Sequence, residues 1–124
     1  MISLKTPEQI KRIAESCRLL AILLDSIPHM LEPGMTTRDI DSYCHQFIVR
    51  HHGRPAFLDY MGFPGSACIS INEEVIHGIP GKRKIKEGDL VSIDLGIDLD
   101  GYYSDSARTF IIGQTKAEYA KLVQ

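Results

Sequence analysis

Asp100-Gly101 is the dipeptide that most restricts this chain, because a favoured two-residue turn there dictates how the flanking segments pair. Before it, Leu90 to Leu99 alternates apolar with small or polar residues and is rich in β-branched side chains. After it, Tyr102 to Ile112 reads as the return arm of a hairpin. With that turn, Leu99 pairs with Tyr102, Gly96 with Asp105 and Asp94 with Ala107. Paired residues share a face, as do residues two apart, so Asp94 and Asp105 project from the same side. A four-residue loop would keep that result and set them directly opposite; an odd loop would break it. Two carboxylates on one face of an apolar sheet repel unless a proton or a cation sits between them. The pair is therefore a candidate metal site. The competing reading is a solvated face, which acidic hairpin pairs usually are, and spacing alone favours it. Ser92, Asp98 and Ser104 are polar too, and Asp98 shares the Asp94 face as its solvated end.

The preceding segment shifts that balance. It reads Tyr60-Met61-Gly62-Phe63-Pro64-Gly65-Ser66-Ala67-Cys68-Ile69-Ser70-Ile71-Asn72-Glu73-Glu74-Val75-Ile76-His77-Gly78-Ile79-Pro80. Taken alone, His77 is a loop or capping residue. Tyr60, Phe63 and Cys68 are core residues by default, and Asn72 satisfies a turn. Taken together, Cys-Ile-Ser-Ile-Asn-Glu, His-Gly-Ile-Pro, Gly-Asp-Leu-Val-Ser-Ile-Asp and Asp-Gly-Tyr-Tyr-Ser-Asp match in order, spacing and identity. The chain resembles the type I methionine aminopeptidases, with a looser likeness over the two helices before these strings.

That resemblance implies an α+β architecture, half of a pita-bread fold, with an antiparallel sheet and helices packed on one face. It implies that Asp94 and Asp105 are ligands of a two-metal centre that activates water, the two divalent ions being drawn from cobalt, manganese, iron or zinc. His77 then contacts the substrate near the scissile amide, as an imidazole able to donate to developing charge. Tyr60, Phe63 and Cys68 line the pocket for a methionine side chain, where aromatics and a sulfur suit a thioether. Asn72 falls at a monovalent-cation site built largely from backbone oxygens. Phe57 and Met61 depart from the family pattern, standing where smaller or more polar groups are common. The implied activity is removal of initiator methionine from nascent chains. A proline-directed peptidase of the same fold and a non-catalytic half-fold binding module are the alternatives.

Composition narrows the rest. At 124 residues and 44% hydrophobic, residues 1–124 can bury a core as one domain. The net charge is −2, and the one basic cluster, Lys82, Arg83, Lys84 and Lys86, is offset by acidic residues elsewhere, so nucleic-acid binding has no support. Three scattered cysteines, Cys17, Cys44 and Cys68, fit no disulfide framework or zinc knuckle, and a reducing cytoplasm is the simplest setting. Neither a signal peptide nor a membrane span is expected.

Thr6-Pro7-Glu8-Gln9 is a capping box with proline at the first helical position. Ile10, Ile13, Ala14, Cys17, Leu20, Ala21 and Leu24 follow at helical spacing, and Pro28 is expected to stop the helix. A second helix is expected after Thr36 or Thr37, with Ile40, Tyr43, Cys44, Phe47 and Ile48 on its apolar face and Gly53 as its cap. His29 and His45 read as ordinary surface residues. Thr115-Lys116-Ala117-Glu118 opens a further helix that stops at Gln124 without a cap, as though cut. Members of the resembled family run to about twice this length, and their second half supplies one histidine and two glutamate ligands. The expectation is an N-terminal half whose own metal binding is weak and whose partner is a complementary half or a second copy.

Overall fold

The computed structural model describes residues 5–58, 65–72 and 78–113. Tyr60, Met61, Phe63, His77 and the helix expected after Thr115 lie outside the described residues.

The element order is α1 (Pro7–Met30), α2 (Thr37–Arg50), β1 (Arg54–Pro55), β2 (Ala67–Ile71), β3 (Leu90–Leu99) and β4 (Tyr102–Ile111). The hairpin register is the one the turn dictates: Leu99 opposite Tyr102, Gly96 opposite Asp105 and Asp94 opposite Ala107. Asp100 and Gly101 take φ of 53° and 86°. Both central residues being left-handed is what a type I′ turn requires, and its twist matches that of the strands. Among the described residues every strand pairing is antiparallel. β4 runs the length of β3 on one edge, while β2 (against Val91–Leu95) and β1 (against Ile97–Asp98) share the other in tandem.

Both helices cover one face of this sheet. Val91, Ile93, Leu95 and Ile97 from β3, with Ala67, Ile69 and Ile71 from β2, are buried in one cluster with Leu20, Leu23, Leu24, Ile27, Ile40, Cys44 and Ile48. This is the expected antiparallel sheet with helices on one face. The other face carries Cys68, Ser92, Asp94, Gly96, Asp98 and Asp105.

The helices differ from expectation in three respects. Pro28 does not stop α1, which continues to Met30. A proline in the last turn loses only its own N–H bond to Leu24, and the Leu31 N–H still reaches the Ile27 carbonyl at 3.2 Å, so the end closes normally. The buried stripe of α1 is Ser16, Leu20, Leu23, Leu24 and Ile27, whereas Ile10, Ala14, Cys17 and Ala21 are exposed. A serine enters the core because its Oγ donates to Ser104 Oγ at 2.9 Å, and Ser104 donates to the Ser16 carbonyl at 3.1 Å. At the end of α2 the left-handed residue is His52 (φ 67°), not Gly53. Gly53 is required for space instead: a β-carbon there would lie 3.1 Å from Ile48 and 3.2 Å from Ile97.

Candidate metal and substrate site

On the face that α1 and α2 leave uncovered, side chains are arranged in rows across the strands. Cys68, Asp94 and Ala107 form one row, Gly96 and Asp105 the next, and Arg54, Asp98 and Tyr103 the one after. Asp94 and Asp105 are therefore diagonal neighbours, a relation that sets Cα atoms about 7–8 Å apart. Asp94 is half-buried with its Oδ1 fully enclosed, and Asp105 is exposed. Burial first, and then the negative charges of Asp94 and Asp105, push the Cys68 thiol above its usual range. All three groups thus share one patch of field.

A cleft of about 480 Å³ opens from Asp105 and Gly96 toward Arg54, Asp98 and Tyr103, with Ala56, Phe57 and Leu58 on its wall. Gly96 makes the wall fit: a β-carbon there would meet Ala56 Cβ at 3.0 Å and Phe57 Cε1 at 3.2 Å. Phe57, marked by the sequence as a departure, thus packs beside the carboxylate row. Asp98 accepts the Gly101 N–H at 2.8 Å, as the polar end of that face should.

Asn72 sits at the end of β2 with φ 56°. Its side-chain oxygen accepts the Leu90 N–H at 2.9 Å and its amide donates to Asp89 at 3.1 Å. That is the turn-satisfying role, at an exposed rather than buried position.

His45 is not an ordinary surface residue. It is half-buried, with Nδ1 2.9 Å from the buried Ser66 hydroxyl. One turn earlier, Asp41 Oδ1 accepts the Ser66 and Ala67 N–H groups at 2.7 and 2.8 Å. Burial pushes the Asp41 carboxyl up against the opposing pull of these two bonds and of His45. Sequence reasoning passed over this group because its partners are 21 to 26 residues away. The available signal was Thr37, Asp41 and His45 recurring every fourth residue.

The donor set of the patch suits a hard divalent cation, since both groups are carboxylates on one face of the sheet. Among the described residues no group of three or more His, Cys, Asp or Glu side chains is placed to hold a metal ion. No helix among the described residues is long and apolar enough to cross a membrane.

Residues 11–124 match the model of metallopeptidase family M24. The chain belongs to this family. As an M24 metallopeptidase chain it carries that family's dependence on divalent metal. It is 46% identical over 123 residues to the methionine aminopeptidase of Borreliella burgdorferi, covering 99% of this chain and 49% of the relative. It is 49% identical over 124 residues to that of Treponema pallidum, covering 100% and 48%. The crystal structure of methionine aminopeptidase from Rickettsia prowazekii superposes with a TM-score of 0.89 at 39% identity, over 100% of this chain and 50% of that one. This M24 chain spans about half the length of the curated relatives it matches, and its sheet and helices are half of a pita-bread fold.

Proposed function

We propose that the protein carrying this chain is a cytoplasmic metal-dependent aminopeptidase that removes the N-terminal methionine from nascent polypeptides. The observation that carries the reading is the register that brings Asp94 and Asp105 onto one open face, in an M24 chain nearly half identical to methionine aminopeptidases. Asp94 and Asp105 would hold the metal, two ions drawn from manganese, iron, cobalt or zinc. When bound, the metal supplies Lewis acidity toward the scissile carbonyl and lowers the pKa of water. A second half with one histidine and two glutamates completes the ligand set. His77 donates a hydrogen bond where charge develops near the scissile amide. Tyr60 and Phe63 with Cys68 hold the thioether, and the half-exposed thiol of Cys68 beside Asp94 suits that position. A cation role for Asn72 would run through its main-chain oxygen, since Asp89 and Leu90 engage its side chain.

The test is hydrolysis of a Met-Ala-Ser peptide by the intact protein with manganese or cobalt, beside Asp105→Ala. Metal-dependent release of methionine that disappears in the variant is expected. Release that survives Asp105→Ala would remove the metal-ligand assignment.

A further inference from the structure

We infer that Asp41 is a positioning residue: with Thr37 and His45 it forms a polar stripe of α2 that fixes the main chain carrying Cys68, and so sets the substrate side of the site beside the carboxylate pair. The inference deepens the aminopeptidase reading and rests on it for its kinetic arm alone.

Thr37, Asp41 and His45 stand at i, i+4 and i+8, so they share one line along the helix. Each holds a segment from outside it. Thr37 Oγ1 accepts the Gly81 N–H at 2.8 Å, and the Arg38 N–H donates to the Gly81 carbonyl at 3.0 Å. Asp41 takes the N–H groups of Ser66 and Ala67, and His45 engages the Ser66 hydroxyl. Thr37 and Ser66 are 4% and 1% exposed, so these bonds are shielded from water.

The two captured segments are also locked to each other. The Ile69 N–H donates to the Gly78 carbonyl at 2.9 Å. A β-carbon on Gly78 would fall 1.6 Å from the Ile69 carbonyl oxygen, and one on Gly65 would fall 2.9 Å from the Pro80 ring. Residues 65–69 and 78–81 therefore behave as one block seated on α2. In sequence, the block follows directly on the stretches that contain Phe63 and His77, and it contains Cys68 itself. The block is itself laddered to β3, with Ala67, Cys68 and Ile69 opposite Leu95, Asp94 and Ile93, but Asp94 and Asp105 are also held by the ten paired positions of the β3–β4 ladder.

The stripe should thus govern how substrate is met while leaving the metal-facing carboxylates in register. Charge matters to Asp41, because a carboxylate oxygen accepting two short N–H bonds makes charge-assisted contacts. Asparagine offers the same oxygen less strongly, and alanine leaves two shielded donors without a partner.

The experiment compares Asp41→Ala, Asp41→Asn and wild type in the intact protein. Three readouts are taken: the rate of iodoacetamide modification at Cys68 by peptide mass spectrometry, Mn²⁺ affinity by titration, and KM and kcat on Met-Ala-Ser. In Asp41→Ala, Cys68 should react about fivefold faster and KM rise about tenfold, with kcat and Mn²⁺ affinity within about twofold of wild type. Asp41→Asn should recover most of both changes. An unchanged Cys68 rate in Asp41→Ala overturns the inference, as does a parallel loss of metal affinity that asparagine does not rescue. If wild type fails to hydrolyse the peptide, the aminopeptidase reading falls while the Cys68 and Mn²⁺ readouts still decide the role of Asp41. If Asp41→Ala does not fold, Thr37→Ala and His45→Ala each remove one rung and are judged by the same two readouts.

Discussion

Val91, Ile93, Leu95 and Ile97 alternate along β3 with Ser92, Asp94, Gly96 and Asp98, and the two sets obey different rules. The first set is fully buried beneath the helices, each member 0% exposed. The second faces away from them, half-buried or, at Gly96, closed over by Ala56 and Phe57. On the helix side the requirement is volume: close-packed neighbours punish a lost methylene. On the other side the requirement is charge, so two carboxylates share a face at some cost in mutual repulsion. On the proposed function a single strand carries stability on one side and chemistry on the other, and substitutions should separate the two.

The sharpest separation is expected at Asp94. Asp94→Ala should reduce metal-dependent hydrolysis about a thousandfold, equivalent to about 4 kcal/mol of barrier. Its denaturant midpoint should hold or rise slightly, because repulsion with Asp105 is relieved. A midpoint that collapses would mean the open face is structural after all. One residue earlier, Ile93→Ala should do the opposite, lowering unfolding free energy by about 3 kcal/mol in urea titrations. The folded fraction should keep its metal affinity. Gly96→Val tests the boundary between the two regimes. A branched side chain pressed on Ala56 and Phe57 should cost about 1–2 kcal/mol and raise KM as the cleft wall moves; an unchanged KM would detach the cleft from substrate.

The smallest expected effect is a pH slope from the buried side. Burial pushes the Cys44 thiol up to about 12, against about 8.5–9 in an unfolded chain. The folded state therefore holds this proton more tightly. That contribution is fully present below about pH 9 and is lost as pH rises through 12, so stability should decline across that window. Cys44→Ala should flatten this part of the urea-midpoint profile between pH 8 and 10.5. An identical slope in both proteins would assign it to other groups.

What could be read in advance follows the same division. The hairpin was legible down to single pairings because its geometry is local: two left-handed residues at Asp100 and Gly101 set every pairing that follows. The face shared by Asp94 and Asp105 needed nothing beyond that turn and the two-residue period. The α2 core positions Ile40, Cys44, Phe47 and Ile48 were equally plain from spacing. Illegible were the features that depend on distant partners. Ser16 is polar, so periodicity places it outside, yet Ser104, 88 residues away, draws it in. His45 looks solvated until Ser66 is brought beside it. Pro28 reads as a stop only if its place in the final turn is unknown. The reading of the carboxylates as metal ligands came from the resemblance, since a solvated acidic face has the same alternation.

The hydroxyl pair of Ser16 and Ser104 bears on how such an arrangement is reached without error. Sliding β4 by one residue would turn Ser104 outward and Asp105 inward, leaving the Ser16 hydroxyl without its partner and a carboxylate against aliphatic side chains. Both penalties fall on the same misfolded isomer. Ser16 and Ser104 therefore act as a checksum on the hairpin, verified by α1, that accepts only the alignment in which Asp94 and Asp105 face the open side.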